Sequence, residues 1–117
     1  MSKKDWHFFL EDIIEAIGFI EEYVKGMEFE DFKKDRKTID AVVRNLEIIG
    51  EAARHIPESI RAKYPNIEWR GMIGLRNRVI HGYFNISLEI IWHIVKVELS
   101  PLKEEIEKVL KIERKYK

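Results

Sequence analysis

The residues best equipped for chemistry lie in one short stretch, Trp69 to Tyr83, reading WRGMIGLRNRVIHGY. It gathers Arg76, Asn77, Arg78, His81 and Tyr83 within about two helical turns. An imidazole takes and gives protons near neutral pH. An arginine offers a fixed fork of donors that matches a phosphate. Arginine with histidine is a minimal kit for metal-free phosphodiester cleavage. His81 would activate a ribose 2′-hydroxyl or protonate the leaving oxygen, and arginine would hold the phosphate as negative charge builds. Asn77 and Arg78 would support the pair. Two obstacles stand in the way. One histidine is short of a separate base and acid. Five helical positions also place Arg76 and His81 roughly 140° apart on an ideal helix. A two-fold dimer that joins two copies of the stretch would ease both.

A structural reading stands beside the catalytic one. A histidine at a helix end can be a cap or a packed surface residue, and the arginines can be solvated. Tyr83 can serve as a hydrophobic lid over the helix end.

The elements that must position this stretch are helical. Trp69, Met72, Ile73 and Ile80 recur at helical spacing, with Asn66 as a possible N-cap and Gly82 as a left-handed stop after His81. Residues 5–24 carry an apolar stripe at Trp6, Phe9, Leu10, Ile13, Ile14, Ile17, Ile20 and Val24, which predicts a long amphipathic helix ended by Gly26. Gly18 inside it marks a weak point or a close approach by a neighbour. Gly26 to Asp35 reads as a charged connection pinned to the core by Phe29 and Phe32. Residues 36–55 repeat the pattern with Ile39, Val42, Val43, Leu46, Ile49 and Ala53, with Asp35 as N-cap and Gly50 at a helix–helix contact. Pro57 opens a short helix to about Lys63. Ser87 caps a further helix with Ile91, Ile94, Val95 and Leu99 on its buried side. Ser100-Pro101 kinks or restarts it, and Leu102, Ile106, Val109 and Leu110 carry it on. The expectation is an all-α, antiparallel bundle of four main helices with short helical pieces, forming a single domain over residues 1–117.

Composition narrows the function. There are 21 basic and 21 acidic residues, so the formal net charge is zero and bulk coating of nucleic acid is disfavoured. The charge is uneven, however. Asp5, Glu11, Asp12, Glu15, Glu21 and Glu22 crowd the start, whereas Arg61, Lys63, Arg70, Arg76 and Arg78 surround the central stretch. The chain has no cysteine, which excludes disulfides and thiolate chemistry and fits a reducing cytoplasm. No signal-peptide core and no run long enough for a membrane span is present. His7, His55, His81 and His93 lie on separate segments, three of them with a glutamate one turn away (Glu11, Glu51 and Glu89). Two ligands do not make a metal site, and no glycine-rich phosphate loop is seen. No metal or other cofactor is expected.

The run Arg76-Asn77-Arg78-Val79-Ile80-His81-Gly82-Tyr83 resembles the R-x4-H-x-Y motif of the HEPN superfamily. The match extends to Arg44–Ala52, to Trp69–Leu75 and to the helix from Ile91 through Leu99 and Pro101, which are similar to the HepT-like branch. The resemblance implies an all-α homodimer with its two motifs facing each other. It implies a metal-independent endoribonuclease toxin acting on RNA, with Arg76 and His81 as the catalytic pair and Asn77 as the polar neighbour. It also implies a partner, a minimal nucleotidyltransferase antitoxin that adds AMP to Tyr83. The alternative reading is a non-catalytic helical partner that binds a nucleotide or docks a nucleotidyltransferase.

Overall fold

Asp5 starts the first helix by folding its carboxylate back onto the His7 amide, 2.9 Å away. This supplies an acceptor for one of the amides that a helix start leaves without an internal partner. The computed structural model describes residues 5–75, 77–78 and 87–115. Helix α1 spans Trp6–Tyr23, and Gly26, at φ +79°, turns the chain beyond it. A second Asp cap, Asp35 onto the Thr38 amide at 3.1 Å, starts α3 (Arg36–Arg54). The expected plain connection between them holds a short helix, α2 (Phe29–Lys34). Glu28 and Asp31 form a reciprocal capping box there, which the charged composition concealed. Phe32 is fully buried, so the expected pinning of this segment holds.

Pro57 caps α4 (Glu58–Lys63), and α5 (Trp69–Ile73) follows. Ser87 then caps α6 (Leu88–His93) as expected, its hydroxyl accepting from the Ile90 amide. A π-helical turn, Ile94–Glu98, leads without a gap into α7 (Leu99–Lys115). The Leu99 amide donates to the Ile94 carbonyl five residues back. The helix therefore restarts at Leu99, just before Pro101, and the wide turn is the form that the expected break takes.

The apolar stripes meet in one core. Leu10, Ile13, Ile17 and Ile20 of α1, Val42, Leu46 and Ile49 of α3, and Leu99, Ile106 and Val109 of α7 are all buried. Helix α1 packs chiefly against α3 and α7. Lys103 bridges to Glu21 at 3.1 Å and Arg114 bridges to Glu11, so α7 runs antiparallel to α1. Phe9, near the start of α1, stacks on His55, just past the end of α3, at 4.8 Å.

The described residues are helix, turn and bend, without a strand, so the all-α expectation holds. Among the described residues, three helices reach 17–19 residues. The expected fourth appears as the short α5, with helical backbone again at Leu75, Asn77 and Arg78. Gly18 does not mark a close approach. A Cβ there would meet nothing within 4 Å, so this glycine costs helix propensity with no packing return. Gly50 is buried within α3.

Candidate active site

The approach to the motif is built from α4 outward. Tyr64 donates its phenol to Glu113 of α7, and Lys63 meets the same carboxylate at 2.9 Å. Glu113 is largely buried, and its carboxyl is held below the usual carboxylate range by the bond from Lys63 first and that from Tyr64 second. The Tyr64 carbonyl accepts the indole N–H of Trp69 at 2.9 Å. Trp69 is thereby fixed at the first turn of α5 and buried with Met72. The residue before this helix is Glu68, not the expected cap Asn66, and it makes no side-chain cap bond.

Gly74 ends α5. Its amide bonds the Arg70 carbonyl at 2.9 Å, and a Cβ there would stand 3.2 Å from the same oxygen. The expected unbroken helix from Trp69 is therefore interrupted at Gly74, and the backbone resumes helical form beyond it. Leu75 is buried, whereas Asn77 and Arg78 are exposed, and the Arg78 amide bonds the Gly74 carbonyl at 3.0 Å. The buried Leu75 thus anchors the segment, and the two polar residues face water. Arg76, His81 and Tyr83 lie outside the described residues, as do the expected stop at Gly82 and the turn at Phe84-Asn85.

Around Arg78 the structure adds two residues that the sequence reading did not connect to the motif. The Arg78 guanidinium lies 3.7 Å from Glu98 on the π-helical turn, and His93 Nε2 lies 3.7 Å from the other oxygen of that carboxylate. One signal was available. Glu98 falls seven residues after the buried Ile91, so a straight α-helix would turn it to within about 20° of the core-facing side. A glutamate in that register announces either a buried partner or a break in the helix.

Of the three expected histidine–glutamate pairs, His55–Glu51 forms, at 3.1 Å. It holds Glu51 below the usual carboxylate range, with Arg54 adding to the effect. His7 meets Asp5 instead and stacks on Trp6, while Glu11 is taken by Arg114. His93 meets Glu98, while Glu89 accepts from Ser87. Neighbours on the same turn and on packed helices compete for each carboxylate, and spacing alone does not rank them. Among the described residues, no group of three or more His, Asp or Glu side chains is placed to hold a metal ion. Nor is any described helix long and apolar enough to cross a membrane.

An apolar cleft of about 320 Å³ opens between α5 and the π-helical turn, floored by Met72, Leu75, Ile94 and Leu99 and edged by Glu68 and Glu98. The described residues form an all-α domain with Arg78 exposed on the segment that follows the buried, cleft-lining Leu75. Comparison with known proteins supplies the assignment. The family model described as Ribonuclease HepT-like matches residues 13–109, and the chain belongs to this family. It is 46% identical over 111 residues to "Putative RNase MJ0127" of Methanocaldococcus jannaschii, covering 95% of this chain and 92% of that one. It is also 46% identical over 110 residues to "Probable ribonuclease HepT" of Thermococcus cleftensis, covering 94% and 97% of the two chains. No solved structure matches it.

Proposed function

We propose that this chain is a single-domain, metal-independent endoribonuclease that acts in the cytoplasm as the toxin of a toxin–antitoxin pair. The observation that carries the reading is the unbroken R-x4-H-x-Y motif, Arg76 to Tyr83, in a member of the ribonuclease HepT-like family. His81 exchanges the proton of the attacking 2′-hydroxyl or of the leaving oxygen, and Arg76 steadies the charge on phosphorus. Asn77 and Arg78 support them from the solvent-facing side of the same segment. A homodimer that apposes two motifs supplies two histidines to one site. A minimal nucleotidyltransferase antitoxin silences the toxin by transferring AMP from ATP to the Tyr83 hydroxyl, with pyrophosphate leaving and the phenol proton released. The adenylate brings bulk and negative charge to the place where the RNA phosphate would lie.

The test is RNA cleavage in EDTA by wild type and His81→Ala, with mass spectrometry confirming that Tyr83 carries no AMP. Wild type is expected to cleave, and the variant to be slower by about 10²–10⁴-fold with unchanged circular dichroism. Equal rates overturn the role of His81. Cleavage by neither favours the non-catalytic partner.

A further inference from the structure

A molecule with no net charge must grip RNA locally, and one cluster beside the motif is built for it. Arg78, Glu98 and His93 come from two separate segments and meet at solvent. Their side chains are 42%, 41% and 60% exposed. Both contacts to the carboxylate measure 3.7 Å, beyond hydrogen-bonding distance. A solvated pair this loose adds little stability. The carboxylate is thus held by loose contacts at solvent, and another oxyanion can replace it.

The backbone goes out of its way to place this carboxylate. Seven residues after Ile91, Glu98 would face the core on a straight helix. The i−5 bond from Leu99 to Ile94 widens the turn, so Leu99 is buried and Glu98 is turned out beside Arg78. Among helical segments, π-type turns concentrate at functional sites.

We propose that Arg78 and His93 form a subsite for a backbone phosphate of RNA, occupied in the free protein by Glu98 as an internal stand-in for that phosphate. The proposal rests on the ribonuclease reading above and adds a binding contact outside the Arg76/His81 pair. An incoming phosphate presents two oxygens to the Arg78 fork and the His93 imidazole, and Glu98 swings into water. The carboxylate also raises the threshold for weak anions, because only a ligand with further contacts along the chain displaces it.

The experiment measures binding of a fluorescent 2′-O-methyl oligoribonucleotide, which lacks the attacking hydroxyl, by anisotropy across a salt series. The proteins are full-length wild type, Arg78→Gln, His93→Gln and Glu98→Gln, all free of AMP on Tyr83 and matched by circular dichroism. Arg78→Gln is expected to weaken binding by roughly tenfold and His93→Gln by less. Arg78→Gln lowers the slope of log Kd against log salt by about 0.7, the value of one lost cationic contact to a single strand. Glu98→Gln is expected to tighten binding by up to roughly fivefold. Unchanged binding in the arginine and histidine variants overturns the subsite. Weaker binding in Glu98→Gln overturns the stand-in and makes Glu98 a clamp. Cleavage of ordinary RNA is measured in parallel. The expected binding pattern without wild-type cleavage sinks the ribonuclease reading and leaves the subsite standing. Cleavage with variant-insensitive binding does the reverse.

Discussion

The two sides of this molecule are stabilised in different ways. Helices α1, α3 and α7 are long, start or continue from well-made turns, and share a core in which Ile13, Ile17, Leu46, Ile49 and Ile106 are fully buried. The side that carries the motif is assembled from short pieces. It comprises α4, α5, the interruption at Gly74, the short α6 and the wide turn at Ile94–Glu98, which reach the shared core through Trp69, Met72, Leu75, Ile91 and Ile94 and are stitched by hydrogen bonds such as that from Trp69 to the Tyr64 carbonyl. Long helices draw their stability from burial, which admits a polar side chain inside only when it is bonded, as Asn45 is to the Ala41 carbonyl at 2.9 Å. Short pieces leave more backbone and polar side chains near water, where a binding or catalytic group must be. The contrast teaches that stability and chemistry are carried by different residues here, so substitutions should separate them.

The largest effect is expected in the long-helix core. Leu46→Ala should cost about 2–5 kcal/mol and lower the melting temperature sharply, with RNA binding at low temperature retained. Loss of binding without loss of stability would break the contrast. Next is the tether between the sides. Tyr64→Phe removes the phenol bond to Glu113 and should cost about 1–3 kcal/mol, read by chemical denaturation, while loosening Trp69 enough to shift tryptophan emission. Asp35→Ala removes a helix cap and should cost about 1 kcal/mol without touching the motif side. Arg114→Ala, which breaks an exposed bridge, should cost under about 1 kcal/mol.

Acid should reach carboxylates on both sides, Glu113 of the tether and, on the other, Asp35 at the cap of α3 and Glu51 within it. Glu113, Glu51 and Asp35 all have carboxyls held below their usual values in the folded chain. A carboxyl shifted in that direction stabilises the fold fully above its unfolded value, and the contribution is lost as pH falls through the folded one. Stability should therefore decline below the ordinary glutamate value of 4.5, and Glu113→Gln should flatten that decline. An unchanged acid limb in the variant would show that Glu113 does not contribute to it.

The apolar stripes made the long helices readable because burial imposes a period that side-chain types record. Asp35, Pro57 and Ser87 marked helix starts for an equally local reason, since a cap or an N-terminal proline acts within its own turn. What escaped was either short or relational. Helix α2 spans six residues, too few for a stripe, and its capping box uses a glutamate where serine or threonine is the usual signal. The partners of His7 and His93 depended on competition among nearby carboxylates. The meeting of Glu98 with Arg78 required knowing how two segments lie in space. Within the candidate site, residue types pointed to Arg78 and Asn77, and the structure supplied their exposure and the neighbours of Arg78. Arg76, His81 and Tyr83 rest on the motif and the family.

The wide turn at Ile94–Glu98 has one more consequence. A π-type turn is, in length, an ordinary helix holding one extra residue, so it can arise or vanish by gain or loss of a single codon. Deleting Val97, which is 55% exposed, would bring Leu99 seven residues after Ile91, the spacing that a straight helix keeps on one face. At this turn, the placement of the Glu98 carboxylate can therefore be gained or lost without redesigning the hydrophobic residues around it.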